Sequence, residues 1–211
     1  LRSPLNSCLG ILSLNDMQLL TPDELRMLLA ENKKTVESIN HTVNNLLHWA
    51  QSQMNGMVTE MERFELKTSL DDLLLLYLPL VKNKNIQLEQ QVEANGIVTA
   101  DRNQINLVIR NLIDNAIKFT PLSGKISFII QTTIAGVLFA VENEVGDKAD
   151  IDMDNILGEK MAISTLGTGN EQGVGLGLLL CKEYVKNNGG TFYTNLDENK
   201  IRFSFVLPKD K

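Results

Sequence analysis

The spacing of apolar residues changes character once along this chain, near residue 57, and the two sides of that change have different folding options. Apolar or small residues recur at Leu25, Leu29, Val36, Ile39, Val43, Leu46, Ala50 and Met57, in steps alternating between four and three, with Asn32 and Gln53 as polar exceptions. A stripe of that period is the seam of a coiled coil or four-helix bundle. Thr21-Pro22-Asp23-Glu24 marks the helix start. Thr21 is an N-cap, Pro22 suits the first helical position, and Glu24 completes a capping box. Leu1, Leu5, Cys8 and Leu12 repeat the stripe more briefly, and residues 15–21 are short enough to join the two helices as an antiparallel hairpin. A lone hairpin cannot bury so long a stripe, whereas two side by side close a four-helix bundle, so the pattern predicts a homodimer. Residues 1–57 are expected to form this hairpin and residues 58–211 a second domain.

Beyond residue 57 strand and helix signals alternate. Residues 64–66 read as a short strand, 70–81 as an apolar helix broken at Pro79, 86–92 as an alternating strand, and 101–119 as a helix spaced through Ile105, Ile109, Leu112 and Ala116. Residues 125–132 and 137–142 are β-rich around a turn at Ala135-Gly136. Residues 175–187 read as a helix stopped by Gly189-Gly190, and 191–194 with 201–207 as a closing hairpin. The expected fold is an α/β two-layer sandwich with helices on one face of a mixed sheet.

Composition narrows the function. A net charge of −6 over 211 residues argues against nucleic acid as the main partner, because phosphate binding requires a basic patch. Cys8 and Cys181 stand far apart in apolar contexts and read as buried free thiols. His41 and His48 have no Cys or His at zinc spacing; His48 beside Trp49 reads as a packing residue. There is no apolar run of about 18 residues, the length a membrane helix requires.

Two segments carry chemistry. In Arg110-Asn111-Leu112-Ile113-Asp114-Asn115-Ala116-Ile117-Lys118-Phe119, Asn111 and Asn115 share a helix face with Lys118 about one turn on, while Leu112, Ile113 and Ala116 face the core. Amide oxygens are hard ligands suited to Mg²⁺, and a lysine offsets phosphate charge. The plainer reading is a solvated polar face. The second segment, Gly167-Thr168-Gly169-Asn170-Glu171-Gln172-Gly173-Val174-Gly175-Leu176-Gly177, leads into a helix. Its glycines allow backbone N–H groups to approach phosphate, and a helix N-terminus attracts anions. It contains no Gly-x-x-x-x-Gly-Lys-Ser/Thr string and follows no strand directly, which disfavours a P-loop and a Rossmann turn.

Together these segments resemble the sensor histidine kinases of two-component systems, whose ATP-binding domain shares its fold with gyrase, the Hsp90 chaperone and MutL. The resemblance covers nearly the whole chain. Leu1-Arg2-Ser3-Pro4-Leu5 is similar to the tail of the phosphoacceptor box, residues 111–121 to the N box, and Gly173-Val174-Gly175-Leu176-Gly177-Leu178 with Lys182 and Gly189-Gly190 to the G2 box. The resemblance implies ATP and Mg²⁺ as ligands. Asn115 would be the main metal ligand with Asn111 beside it, and Lys118 would contact phosphate. Gly173, Val174, Gly175, Leu176 and Gly177, with Gly167 and Thr168, would wrap the triphosphate under a lid spanning about residues 160–172. Asn143 and Gly146 would line the adenine pocket. Ser3 would be the phosphatase residue. Implied partners are a second copy of the chain and the receiver domain of a response regulator. The implied location is the cytoplasmic portion of an inner-membrane sensor, attached to the membrane only through upstream segments.

Three departures from the family pattern stand out. The phosphoacceptor histidine would fall two positions before Leu1, so this chain is expected to bind ATP without phosphorylating itself. Ile156-Leu157 occupies the F-box position without a phenylalanine. The G1 box, ordinarily Asp-x-Gly-x-Gly, reads Asn143-Glu144-Val145-Gly146-Asp147, so the carboxylate that reads adenine is a neutral amide. A degenerate dimeric signalling scaffold with weak ATP binding is the alternative. An ATPase of the chaperone or mismatch-repair kind is a further rival, disfavoured by the hairpin.

Overall fold

The computed structural model describes residues 9–10, 13–14, 21–30, 32–33, 36, 43, 59–93, 96–146, 176–197 and 199–209. Contacts divide the chain into two units, Leu1–Met54 and Asn55–Lys211.

In the first unit residues 22–30 are helical, and the capping box forms as its sequence requires. The Thr21 backbone N–H donates to Glu24 Oε2 at 2.9 Å, and the Glu24 N–H donates to Thr21 Oγ1 at 3.3 Å. These two bonds satisfy donors that a helix start leaves open. Among the stripe positions described, Leu29 is 45% and Val36 48% exposed in the single chain.

The second unit opens with strand β1 (Met61–Glu65), helix α1 (Leu66–Asn83), and strands β2 (Gln87–Val92) and β3 (Ile97–Asp101). Helix α2 (Arg102–Phe119), strands β4 (Lys125–Thr132) and β5 (Val137–Glu144), helix α3 (Leu176–Asn187), and strands β6 (Thr191–Asp197) and β7 (Lys200–Leu207) follow. The main sheet runs β2-β4-β5-β7-β6, with β2 and β4 parallel and the other pairs antiparallel. This is the mixed sheet the sequence predicts. Alternation along the strands sends Ile126, Phe128 and Ile130, Phe139 and Val141, and Phe203 and Phe205 to one face, all buried. Phe139 and Phe205 stack there with ring centroids 5.1 Å apart. Ile105, Ile109, Leu112, Ile113 and Ala116 of α2, with Leu180 and Val185 of α3, complete the core.

Three local readings are corrected. Residues 64–66 are not one strand: β1 ends at Glu65 and the buried Leu66 opens α1. Pro79 does not break α1, which runs on to Asn83. Pro79 is exposed and in the last turns, where the carbonyl it leaves without a helical donor can be hydrated. The sequence reading omits β3, which pairs antiparallel with β1 in a separate two-stranded sheet. Smaller differences lie in length: β5 extends to Glu144 and β6 to Asp197.

Candidate functional site

Helix α2 carries both predicted carboxamides. It is capped by Asp101, whose Oδ1 accepts from the Gln104 N–H at 3.0 Å. At its other end Lys84 Nζ donates to the carbonyl oxygens of Ile117, Lys118 and Thr120 at 2.8, 3.1 and 3.4 Å. A cation there complements the negative end of the helix dipole and fixes the backbone around Lys118. The Lys118 ammonium lies 5.0 Å from the Phe119 ring centroid. On the α1 side, Tyr77 is hydrogen-bonded to Asp114 and Arg110. Burial, then the Asp114 charge, hold the Tyr77 hydroxyl above its ordinary range against the opposing pull of Arg110.

The four-residue spacing places Asn111 and Asn115 on one side of α2, as predicted. Asn115 is half-buried and Asn111 only 7% exposed. Asn111 Nδ2 donates to the Leu107 carbonyl at 3.0 Å, one turn back in its own helix. Its Oδ1 lies 3.1 Å from where a Cβ on Gly177 would stand. The fold thus brings the predicted carboxamide face against the first turn of α3, which opens at Leu176.

Asn143 sits near the end of β5, 2% exposed, paired with Ile126 and Ile201 on the helix-facing side of the sheet. Its Nδ2 donates to the Glu144 carbonyl at 2.9 Å, so its amide is oriented within its own strand. Gly146 follows with open space about the position of a Cβ. The opposite face at this end is ionic. Glu142 accepts from Arg202 Nη2 at 2.6 Å and from Lys200 Nζ at 3.1 Å. Ser3, Gly167, Thr168, Gly173, Val174, Gly175, residues 156–157 and the predicted lid lie outside the described residues.

The sequence reading misses a buried polar cluster at the far end of α3. Asn188, 2% exposed, accepts through Oδ1 from the Asp101 N–H at 2.6 Å. Its Nδ2 donates to Gln104 Oε1 at 2.9 Å and to the Tyr184 carbonyl at 2.8 Å. Its one sequence signal is an Asn just ahead of Gly189-Gly190, which by itself reads as an ordinary helix end.

Residues 100–211 match the family of histidine kinase-, DNA gyrase B- and HSP90-like ATPases. The chain belongs to this family. As in any ATPase of the family, these residues are an ATP-binding domain, and they contain all of α2, α3 and the strands between and after them. The chain is 24% identical over 211 residues to the sensor protein SrrB of Staphylococcus aureus, covering 99% of this chain and 36% of SrrB. It thus spans about a third of the length of that relative. Among solved structures it superposes on the histidine kinase AdeS of Acinetobacter baumannii with a TM-score of 0.78 at 20% identity, covering 100% of this chain and 97% of that one. It also superposes on the histidine kinase ThkA, in a complex with the response regulator protein TrrA, with a TM-score of 0.73 at 20% identity, covering 99% and 58%. At these identities the two structures speak to the fold alone.

The donor set fits a metal-bound nucleotide. Asn115 offers a half-buried amide oxygen one turn along α2 from Asn111, the residue whose amide faces the bare Cα of Gly177. Hard oxygen ligands from one or two side chains plus phosphates are how Mg²⁺ is usually held.

Proposed function

We propose that this chain is the cytoplasmic transmitter part of a sensor histidine kinase. ATP would be held between α2 and the start of α3. The observation that carries the reading is the contact of the Asn111 carboxamide with Gly177, which joins the two predicted phosphate-handling segments in one place. Asn115 would bind Mg²⁺ with Asn111 beside it, and Lys118 would offset charge on the phosphates. Gly173, Val174, Gly175, Leu176 and Gly177, with Gly167 and Thr168, would wrap the triphosphate. Asn143 and Gly146 would border the adenine. Magnesium, when bound, neutralises charge on the β- and γ-phosphates.

The phosphoryl acceptor would be a histidine of the box whose tail Leu1–Leu5 resembles. Its imidazole nitrogen forms the new P–N bond as the bond to the β-phosphate oxygen breaks and ADP leaves. The group would then pass to an aspartate of a response regulator receiver domain. Ser3 would serve the reverse, dephosphorylating activity. Two described positions of the first unit's apolar stripe, Leu29 and Val36, keep nearly half of their surface exposed in the single chain, which supports homodimerisation.

The test is calorimetric titration with ATP and Mg²⁺. Asn115→Ala should weaken binding about 30-fold or more, equivalent to about 2 kcal/mol, with the thermal unfolding temperature nearly unchanged. Equal affinity in the variant and the parent overturns the assignment. A specific observation favours a second reading, the ATP-blind dimeric scaffold: Asn143 and Val145 replace the acidic and first glycine residues of the G1 box. No heat with the parent chain selects that reading. For the kinase reading, a protein with the complete phosphoacceptor box should gain acid-labile phosphate from ATP.

A further inference from the structure

Helix α3 is fixed by different means at its two ends. At its C-terminal end the Asn188 side chain makes three hydrogen bonds, to Asp101, Gln104 and Tyr184. At its N-terminal end the carboxamide oxygen of Asn111 lies 3.1 Å from where a Cβ on Gly177 would stand, closer than an ordinary van der Waals contact. That carboxamide is itself pinned. Its Nδ2 is committed to the Leu107 carbonyl at 3.0 Å, so it cannot retreat from Gly177 without giving up a bond in a nearly buried site.

We infer that Asn111 is a positioning residue, a spacer whose fixed amide sets the distance between α2 and the first turn of α3. This deepens the ATP-binding reading and rests on it. The distance between those helices decides how closely backbone N–H groups at the start of α3 approach a phosphate held at Asn115. Misplacement of a binding group by an ångström is enough to weaken it severely. On this account Asn111 acts on nucleotide affinity through Gly177, whether or not metal is present. A residue acting only as a metal ligand has no reason to be coupled to a glycine on another helix.

The experiment is a double-mutant cycle read by ATP affinity, in Mg²⁺ and again in EDTA, on Asn111→Ala, Gly177→Ala, the double variant and Asn115→Ala. Gly177→Ala forces a methyl against a pinned amide and should lower affinity about tenfold in both buffers. Asn111→Ala removes the spacer and should lower it about threefold in both. The double variant should bind about threefold or more tighter than Gly177→Ala alone, because truncating the Asn111 side chain makes room for the methyl. Asn115→Ala should lose affinity in Mg²⁺ and little in EDTA. Multiplicative effects of the two single changes, or an Asn111→Ala loss confined to Mg²⁺, overturn the positioning role while leaving the nucleotide reading in place. If Asn115→Ala binds as the parent does in both buffers, the nucleotide reading falls and this inference with it.

Discussion

The two ends of α3 answer the same problem with opposite chemistry. Where the helix ends, Asn188 joins three elements through hydrogen bonds made in a nearly dry environment. Gly189 takes a left-handed φ of 70°, so that its N–H reaches the Lys186 carbonyl and that of Gly190 the Val185 carbonyl. Where the helix begins, a glycine meets a carboxamide by shape. Hydrogen bonds with buried partners resist displacement, since breaking one strands a desolvated group. Drawing Gly177 away from Asn111 strands no such group, because the Asn111 amide keeps its Leu107 partner within α2. The difference suits a helix whose far end belongs to the scaffold and whose near end, on the proposed function, would face the nucleotide. It also predicts that changes at the far end act on stability and changes at the near end on binding.

Gly190→Ala tests the far end most severely. A Cβ there would stand 2.5 Å from the Val206 carbonyl oxygen and 2.9 Å from both Leu207 Cδ2 and Val185 Cγ1. The Val206 oxygen is β7 backbone, and moving it disturbs the β6–β7 pairing. A loss of about 3 kcal/mol in chemical denaturation is expected, with the ATP affinity of the folded protein within about twofold of the parent. An affinity that falls in step with stability would break the division between the ends. Asn188→Ala comes next, at about 2–3 kcal/mol, because it leaves the Asp101 N–H and Gln104 Oε1 buried without their partner.

Gly177→Ala is the contrasting change. Replacing a helical glycine by alanine gains about 0.8–1 kcal/mol of intrinsic helix preference. The close approach of the new methyl to Asn111 costs about as much. Stability should therefore stay within about 1 kcal/mol of the parent while ATP affinity drops. A destabilisation matching that of Gly190→Ala would erase the contrast.

What the sequence reveals follows the same line. Helix α2 is legible almost to the residue, because Ile105, Ile109, Leu112 and Ala116 carry an unbroken helical period and Asp101 is a natural cap. The alternating β4 and β5 are legible for the same local reason. Strand β3 is not. Its five residues, Ile97–Asp101, become a strand by pairing with β1, more than thirty positions earlier. Within the site, the side of α2 bearing Asn111 and Asn115 follows from spacing, and α3 from its glycine-led start and double-glycine stop. That Gly177 is the glycine that meets Asn111 depends on how two helices pack. That Asn188 bonds to Asp101 and Gln104, 87 and 84 residues away, has no local signature at all.

Tyr184 supplies the smallest effect and the finest test of the anchored end. Its ring is buried in the core, yet its hydroxyl has no hydrogen-bond partner among the described residues. Tyr184→Phe removes a desolvated polar group and little packing, so stability at neutral pH should be unchanged or higher by up to about 1 kcal/mol. Burial, followed by the charges of Glu183, Cys181 and Asp101, pushes the tyrosine up to about 12 from its ordinary 10. A group whose folded-state pKa lies above its unfolded value contributes stability that is complete below the unfolded value and lost as pH rises. The contribution of Tyr184 is thus intact below pH 10 and disappears between about 10 and 12. Denaturation midpoints measured from pH 8 to 11.5 should fall more steeply in the parent than in Tyr184→Phe, with the curves parallel below pH 9. The hydroxyl of Tyr77, which also favours its neutral form, leaves a residual alkaline slope in both. Identical slopes above pH 10 would mean that Tyr184 ionises without disturbing the end of α3 that Asn188 holds.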